Sequence, residues 1–222
     1  MFHNPEKRTK VKICGLTTLE DARFASGALA DYLGFIFYPE SPRYIEPGKA
    51  SAVISWLEGP QKVGVFVNQP LEEVNRIARL TAIDLVQLHG DESPEYCRMI
   101  DLPVIKVIHV TKETGEKELE KKIDLYSDVS EYLLFDSKIG KQWGGTGQTF
   151  DWELIRNRLP DIPFMLSGGL HSGNIQNAIQ TISPDAIDVS SSLEESPGLK
   201  DFDKMEEFFD VLRTIWEQQE SD

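Results

Sequence analysis

Cysteine is scarce in this 222-residue chain, which contains only Cys14 and Cys97. Neither has a second cysteine near it in sequence, which argues against the disulfide framework of small secreted proteins. Long apolar runs are missing as well, and residues 1–10 are polar and lack the apolar centre of a signal peptide. We therefore expect a cytoplasmic protein with free thiols and without a membrane span.

Positive charge is also in short supply. Lysine and arginine number 23 against 37 aspartates and glutamates, which gives a formal net charge of -14. A surface of that sign repels nucleic acid and anionic membranes, so we expect neither as a partner. Any anionic ligand must then be held by local hydrogen-bond donors. The rest of the composition is typical of a globular protein with one sizeable core.

Short apolar runs alternate with amphipathic segments along nearly the whole chain. Runs that are apolar almost throughout are typical of parallel strands buried on both faces. The pattern predicts strands at 11–14, 32–37, 62–67, 82–88, 104–110, 132–135, 162–166 and 185–189. The spacing of apolar residues predicts helices at 18–29, 47–57, 70–78, 93–100, 111–128, 151–158, 172–181 and 202–216.

Eight strand–helix units are the number that closes a barrel. We therefore predict an α/β protein with a single (βα)8 TIM-barrel domain over residues 1–222, in which 1–10 form a short polar extension. A doubly wound open sheet is the structural alternative. It is disfavoured because no Gly-x-Gly-x-x-Gly follows the first strand.

Four polar residues lie where a barrel would gather them at one mouth, the place where barrel enzymes carry their chemistry. Cys14, His89 and Asp136 follow the first, fourth and sixth strands, and Arg43 lies in the loop after the second. Each also has a plainer interpretation. The cysteine is then a small buried apolar residue and the histidine a hydrogen-bonded rim residue. The aspartate is a turn residue, and the arginine is a surface partner of Glu40 or Glu46.

Two turns of small residues follow the last two strands. Ser167, Gly168 and Gly169 close strand seven, and Ser190–Ser192 close strand eight. In many barrels these two loops bind phosphate through backbone N–H groups and a helix N-terminus. Because backbone donors need no basic surface, a phosphate site agrees with the acidic composition.

A set of motifs carries a resemblance to one family. They are KICG (12–15), SPRYI (41–45), QLHG (87–90), GGTG (144–147) with FDW (150–152), LSGGL (166–170) and DVSS (188–191). Their order and spacing resemble the phosphoribosylanthranilate isomerases of tryptophan biosynthesis, and the resemblance extends from about residue 11 to 201. It implies a ribulose-phosphate-binding barrel that needs no cofactor and no metal.

The resemblance also implies a reaction and a set of roles. The reaction is the Amadori rearrangement of N-(5'-phosphoribosyl)anthranilate to 1-(2-carboxyphenylamino)-1-deoxyribulose 5-phosphate. Asp136 is then the general acid and Cys14 the general base, while Arg43 binds the anthranilate carboxylate. The remaining implied contacts are substrate binding by His89 and Asp188, phosphate binding by Gly168, Gly169, Ser190 and Ser191, and closure of the site by a loop containing Gly144, Gly145 and Gly147.

These roles place demands on the local environment. Cys14 needs thiolate character, which the nearby helix N-terminus at Thr17 would favour. Asp136 must keep a proton part of the time, with help from an apolar wall or from a carboxylate such as Asp188. Ser192 occupies a position where the family commonly has glycine, so either a left-handed backbone there costs roughly 1 kcal/mol or the turn is reshaped.

Other readings remain open. The analogous aminoaldose isomerase of histidine biosynthesis uses an aspartate pair, against which Cys14 argues. The indole-forming barrel of tryptophan biosynthesis needs a lysine and a glutamate in the mouth, a combination that we do not find in this sequence. A third reading is a non-catalytic barrel that only binds a sugar phosphate, because a fold alone does not establish an activity. The expected partner is a small phosphorylated molecule, and the expected state is a monomer or a weak homo-oligomer.

Overall fold

The computed structural model describes residues 8–111, 113–137 and 152–219. Eight parallel strands close into a barrel in sequence order, with the last paired to the first, which confirms the predicted (βα)8 architecture. The strands are β1 (Lys10–Cys14), β2 (Tyr32–Ile36), β3 (Gln61–Phe66), β4 (Leu85–Leu88), β5 (Val104–Val110), β6 (Tyr132–Ser137), β7 (Phe164–Leu166) and β8 (Ala186–Val189).

Helices surround the barrel and connect the strands. They are α1 (Leu19–Gly27), α2 (Pro47–Ile54), α3 (Leu71–Thr81), α4 (Pro94–Arg98), α5 (Glu116–Ser127), α6 (Glu153–Arg156), α7 (Ile175–Ile182) and α8 (Phe202–Gln219). A 3-10 turn (Ser191–Leu193) and an antiparallel hairpin of β9 (Glu194–Ser196) and β10 (Leu199–Lys200) follow β8 and were not predicted. No helix in the described ranges has the length and apolarity to cross a membrane.

Local chemistry explains most of the element boundaries. Thr18 caps α1 by accepting a hydrogen bond from the backbone N–H of Asp21 at 3.1 Å. Ala82 ends α3 in the left-handed conformation, with φ 52°, so β4 begins at Leu85 rather than at the predicted residue 82. Strand β1 begins at Lys10, one residue earlier than predicted. Just before it, Thr9 is tied to α8 because its carbonyl accepts from Trp216 Nε1 at 3.0 Å.

The alternation of side chains along the strands divides the core into two parts. In β1, Val11 and Ile13 face the helices and belong to the large core cluster between sheet and helices. Lys12 and Cys14 face the barrel interior. The lower part of that interior holds a separate apolar cluster formed by Tyr32, Val63, Leu85, Ile105, Val107, Leu134, Met165 and Ala186. We call this cluster the lower layer.

Candidate active site

A cavity of about 270 Å³ opens above the lower layer, at the carboxyl ends of the strands. All predicted site residues in the described part of the chain line it together. These are Cys14, Arg43, His89, Asp136, Gly168, Gly169, Asp188, Ser190 and Ser191. The predicted closing-loop residues Gly144, Gly145 and Gly147 lie outside the described residues, so the structure does not test them.

Cys14 lies at the end of β1 and is 5% exposed. Its strand neighbour is Gly34, and a Cβ at that position would lie 2.8 Å from the Cys14 sulfur. Glycine therefore leaves the space that the thiol occupies. The carbonyl of Cys14 accepts a hydrogen bond from Ser190 Oγ at 3.0 Å, which joins the end of β1 to the turn after β8.

The electrostatic surroundings of Cys14 differ from the sequence-based expectation. Burial raises the pKa of the thiol, and the negative charge of Asp188 acts in the same direction. Lys12 and, more weakly, Lys200 oppose this effect, but the pKa stays above its ordinary value. The free protein therefore holds Cys14 as a neutral thiol near neutral pH, because burial disfavours the charged form more than the two lysines favour it.

Asp136 lies at the end of β6, 2% exposed, beside a pair of histidines. His89 Nε2 is 3.4 Å from Asp136 Oδ2, and Gln87 Nε2 is 3.1 Å from His89 Nδ1. When the Gln87 amide donates to Nδ1, the imidazole carries its proton on Nε2, which points toward the carboxylate. His89 is thus a partner of Asp136 rather than only a rim residue.

The rim around His89 is supported by a buried ion pair that the sequence pattern does not reveal. Lys106 Nζ lies 2.7 Å from Glu92 Oε2 and donates to the carbonyl of Gly90 at 2.7 Å. His109 Nε2 lies 2.9 Å from the carbonyl of His89.

Potential metal-ligand atoms of His89, His109 and Asp136 lie within 4.8 Å of one another, so this group has the donor set for a divalent metal.

Arg43 is held by a residue that sequence reasoning missed. Its Nε and Nη2 donate to the two carboxylate oxygens of Glu194 at 2.8 and 2.7 Å. Lys200 Nζ lies 3.0 Å from the same carboxylate. The predicted alternative partners are occupied elsewhere, because Glu46 caps α2 and Glu40 accepts from Tyr38. No periodicity singles out Glu194, which lies in the unpredicted hairpin 151 residues from Arg43.

The two small-residue turns lie side by side and have the backbone that a phosphate site requires. Gly168 and Gly169 adopt φ of 89° and 67°. A Cβ on Gly168 would come within 2.7 Å of the backbone nitrogen of Ser137. Within the described residues, neither glycine N–H donates to a backbone carbonyl. These groups are therefore available to an anion.

The strain expected at Ser192 is not present. This residue lies in the 3-10 turn, and the described non-glycine residues with positive φ are Leu29, Asn68, Ala82 and Ser183. Its hydroxyl donates to the carbonyl of Leu170 at 2.6 Å and so ties the two turns together. Of the two alternatives at this position, the backbone fits a reshaped turn rather than a strained one, because Ser192 has an ordinary conformation.

Asp188 has a partner of its own. Its Oδ1 lies 2.8 Å from Nζ of Lys12, a lysine with no exposed surface. An apolar wall or this carboxylate were the two alternatives for helping Asp136 to retain a proton, and the structure places Asp188 in an ion pair with Lys12. Cys97, by contrast, is a residue of α4, and its side chain is buried in the core, as expected from its position on an apolar helix face.

A thiol and a carboxyl group line one cavity with an arginine and two anion-binding turns, at the mouth of a (βα)8 barrel. Barrel enzymes carry their sites at this end, and the arrangement offers groups that can give and take a proton beside donors for a small anionic ligand. The chain belongs to the N-(5'-phosphoribosyl)anthranilate isomerase family, whose model matches residues 11–211. The family predicted from the motifs is confirmed.

Individual relatives agree with this assignment. The N-(5'-phosphoribosyl)anthranilate isomerase of Geobacter sp. (strain M21) is 46% identical over 201 residues, 90% of this chain and 96% of the relative. The crystal structure of phosphoribosyl anthranilate isomerase from Thermotoga maritima matches with a TM-score of 0.83 and 40% identity, over 93% of this chain and 99% of that one. A crystal structure of such an isomerase in complex with reduced 1-(o-carboxyphenylamino)-1-deoxyribulose 5-phosphate matches with a TM-score of 0.80 and 38% identity, over 93% and 99%.

Proposed function

We propose that this chain catalyses the Amadori rearrangement of N-(5'-phosphoribosyl)anthranilate to 1-(2-carboxyphenylamino)-1-deoxyribulose 5-phosphate in tryptophan biosynthesis. The observation that carries this proposal is the cavity that Cys14 and Asp136 line together with Arg43 and the two small-residue turns. The relative solved with a reduced form of this product supports the choice of substrate. A cysteine at the end of β1 disfavours the histidine-pathway isomerase, and a paired acid and base disfavour a barrel that only binds.

In the proposed first step, Asp136 donates its proton to the furanose ring oxygen. The electron pair of the anilino nitrogen forms a C=N bond to C1', and the bond from C1' to the ring oxygen breaks, which gives an open-chain Schiff base. His89, at 3.4 Å from the carboxylate, orients Asp136 for this transfer. General acid catalysis of this kind contributes about 10²–10⁴-fold.

In the second step, the Cys14 thiolate removes the proton from C2'. The C–H electron pair forms a C1'–C2' double bond, and the nitrogen of the Schiff base recovers its electron pair. The resulting enolamine becomes the aminoketose when C1' gains a proton and the C2' hydroxyl loses one. The base must act as a thiolate, although burial raises the pKa of Cys14 in the free protein.

Binding is assigned to the rest of the cavity. Arg43 takes the anthranilate carboxylate, with Glu194 holding its guanidinium from the other side. Backbone N–H groups of Gly168, Gly169, Ser190 and Ser191 bind the phosphate. We further propose that the enzyme works in the cytoplasm as a single-domain monomer or weak homo-oligomer, without cofactor or metal.

The test is the loss of anthranilate fluorescence when N-(5'-phosphoribosyl)anthranilate is generated in situ. We expect fast decay with the wild-type protein and a loss of decay in Cys14→Ser, because a serine hydroxyl is far less acidic than a thiol and supplies almost no anionic base near neutral pH. Cys97→Ser is the matched control, since this second thiol is buried in the core away from the cavity. Folded wild-type protein without activity would refute the function, and an active Cys14→Ser would transfer the base role to His89.

A further inference from the structure

A charged side chain lies directly below the proposed base. Lys12 and Cys14 are two residues apart on β1 and face the same side of the sheet, toward the barrel interior. The lysine is completely buried and does not line the cavity. Since an unpaired ammonium group in such a place is strongly disfavoured, its retention needs a partner. That partner is Asp188 on β8, whose carboxylate oxygen lies 2.8 Å from Lys12 Nζ.

The charges around Cys14 show which group can stabilise a thiolate. Asp188 has the wrong sign, and Lys200 on β10 is already bound to Glu194 and to the carbonyl of Ser190. The other charged or titratable groups lining the cavity are Tyr38, Glu40, Arg43, His89 and Asp136. Arg43 is committed to Glu194, and His89 faces Asp136. Lys12 is therefore the cation that acts most directly on the sulfur.

Lys12 keeps its charge in this position. Burial lowers the pKa of its ammonium group, but the interactions with Asp188 first and with Cys14 second outweigh this effect and hold the pKa above its ordinary value. The row of groups from Asp188 through Lys12 to Cys14 then has alternating sign once the thiol loses its proton. Such a row stabilises the thiolate without contact between the lysine and the substrate.

We propose that Lys12 is a positioning residue for the isomerisation, and that its ammonium group, held in place by Asp188, stabilises the Cys14 thiolate that removes the C2' proton. This inference rests on the proposed function, since it assigns a residue that acts through the base. The thiol proton leaves to solvent before the substrate reacts, and the thiolate then accepts the C2' proton, so Lys12 itself neither gains nor loses a proton.

The experiment measures the pH dependence of Cys14 alkylation by iodoacetamide, followed at the Cys14 peptide by mass spectrometry so that Cys97 does not interfere. It compares the wild type with Lys12→Met and with Lys10→Met. Lys10 lies two residues earlier on the same face of β1, and its Nζ lies 3.3 Å from Tyr32 Oη. The control thus removes the same charge by the same substitution, one layer farther from the sulfur.

We expect Lys12→Met to raise the apparent pKa of the Cys14 thiol by at least one unit, so that alkylation at pH 8 slows by about tenfold. Lys10→Met should leave the profile near that of the wild type. The acidic limb of the kcat profile should move upward in Lys12→Met, with kcat reduced and KM little changed. Equal profiles for the two methionine variants, or faster alkylation in Lys12→Met, would overturn the proposal.

Removal of Lys12 alone leaves Asp188 without its partner and can prevent folding. The double variant Lys12→Met/Asp188→Asn removes both charges and avoids an unpaired buried carboxylate. Because the lysine acts on the sulfur more strongly than the aspartate does, alkylation should still slow relative to the wild type. An unchanged or faster rate would contradict the role of Lys12. Alkylation needs no substrate, so an inactive wild-type protein would count against the proposed function alone.

Discussion

The two ends of the barrel interior are lined by the same strands but carry different side chains. At the lower end, the lower layer packs apolar groups such as Val63, Ile105 and Met165 against one another. At the upper end, the same inward-facing alternation places Cys14 and Asp136 around a cavity. The alternation of inward-facing and outward-facing side chains is the same at both ends, so the two ends differ in residue type alone. Within the barrel interior, apolar packing therefore lies in the lower layer, and the residues to which we assign the chemistry lie in the mouth.

The largest effect should follow from a change at the upper end. Asp136→Asn keeps the size of the side chain but removes the proposed proton donor, so kcat should fall by about 10²-fold or more. The free energy of unfolding should change little. Initial rates of fluorescence decay and urea denaturation of the same preparation provide both numbers. A variant with wild-type kcat would show that another group protonates the ring oxygen.

The reciprocal change at the lower end should reverse this pattern. Met165 is fully buried in the lower layer, and Met165→Ala should reduce the free energy of unfolding by about 2–5 kcal/mol because it leaves a cavity. The kcat of the folded enzyme should stay near that of the wild type. Chemical denaturation measures the first quantity, and active-site-normalised rates measure the second. A large loss of kcat without loss of stability would break the division between the two ends.

A smaller effect is expected at the phosphate turn, where backbone conformation rather than a side chain matters. Gly168→Ala places a Cβ 2.7 Å from the backbone nitrogen of Ser137 and also strains a φ of 89°. Gly59→Ala is a matched control, because its φ of 91° is similar but its Cβ meets open space. Both should lose roughly 1 kcal/mol of stability from the left-handed backbone. Only Gly168→Ala should also raise KM. Equal KM values for the two variants would show that this turn does not bind the substrate.

The smallest effect concerns the Arg43–Glu194 pair at the rim of the mouth. Glu194→Gln should raise KM by several-fold, roughly 1 kcal/mol, with kcat less affected, because Arg43 loses a charged hydrogen-bond partner. Glu195→Gln, the adjacent exposed residue, should leave KM unchanged. An equal KM in both variants would show that Arg43 does not need Glu194 to bind the substrate.

The same pair has a pH signature. Burial raises the pKa of Glu194, but its contacts with Arg43 and Lys200 outweigh this effect and lower the pKa overall. A lowered pKa in the folded state means that the carboxylate adds stability above the ordinary glutamate pKa. This contribution is lost as the pH falls through the folded-state pKa. The stability difference between wild type and Glu194→Gln should therefore shrink on acidification, as thermal unfolding at several pH values would measure.

Much of the barrel could be predicted because its signals are local. The apolar run that ends at Cys14 and the cap at Thr18 are read from a few neighbouring residues, and both appear in the structure. The positions of His89 and Asp136 at strand ends also predict that they lie at one mouth, as the structure shows. The hairpin that begins at Glu194 had no such signal, since its strands are too short to show a period.

Sequence by itself thus determined the strand–helix alternation, the barrel and the family, because each rests on local periodicity or on ordered motifs. The partners of the site residues were decided only by the tertiary structure. Lys12 meets Asp188 across 176 residues, and Arg43 meets Glu194 across 151. The first pair exists because closure of the barrel sets β1 beside β8 with Lys12 opposite Asp188. No local pattern records the register between these two strands, so only the tertiary structure shows the buried ion pair below the thiol.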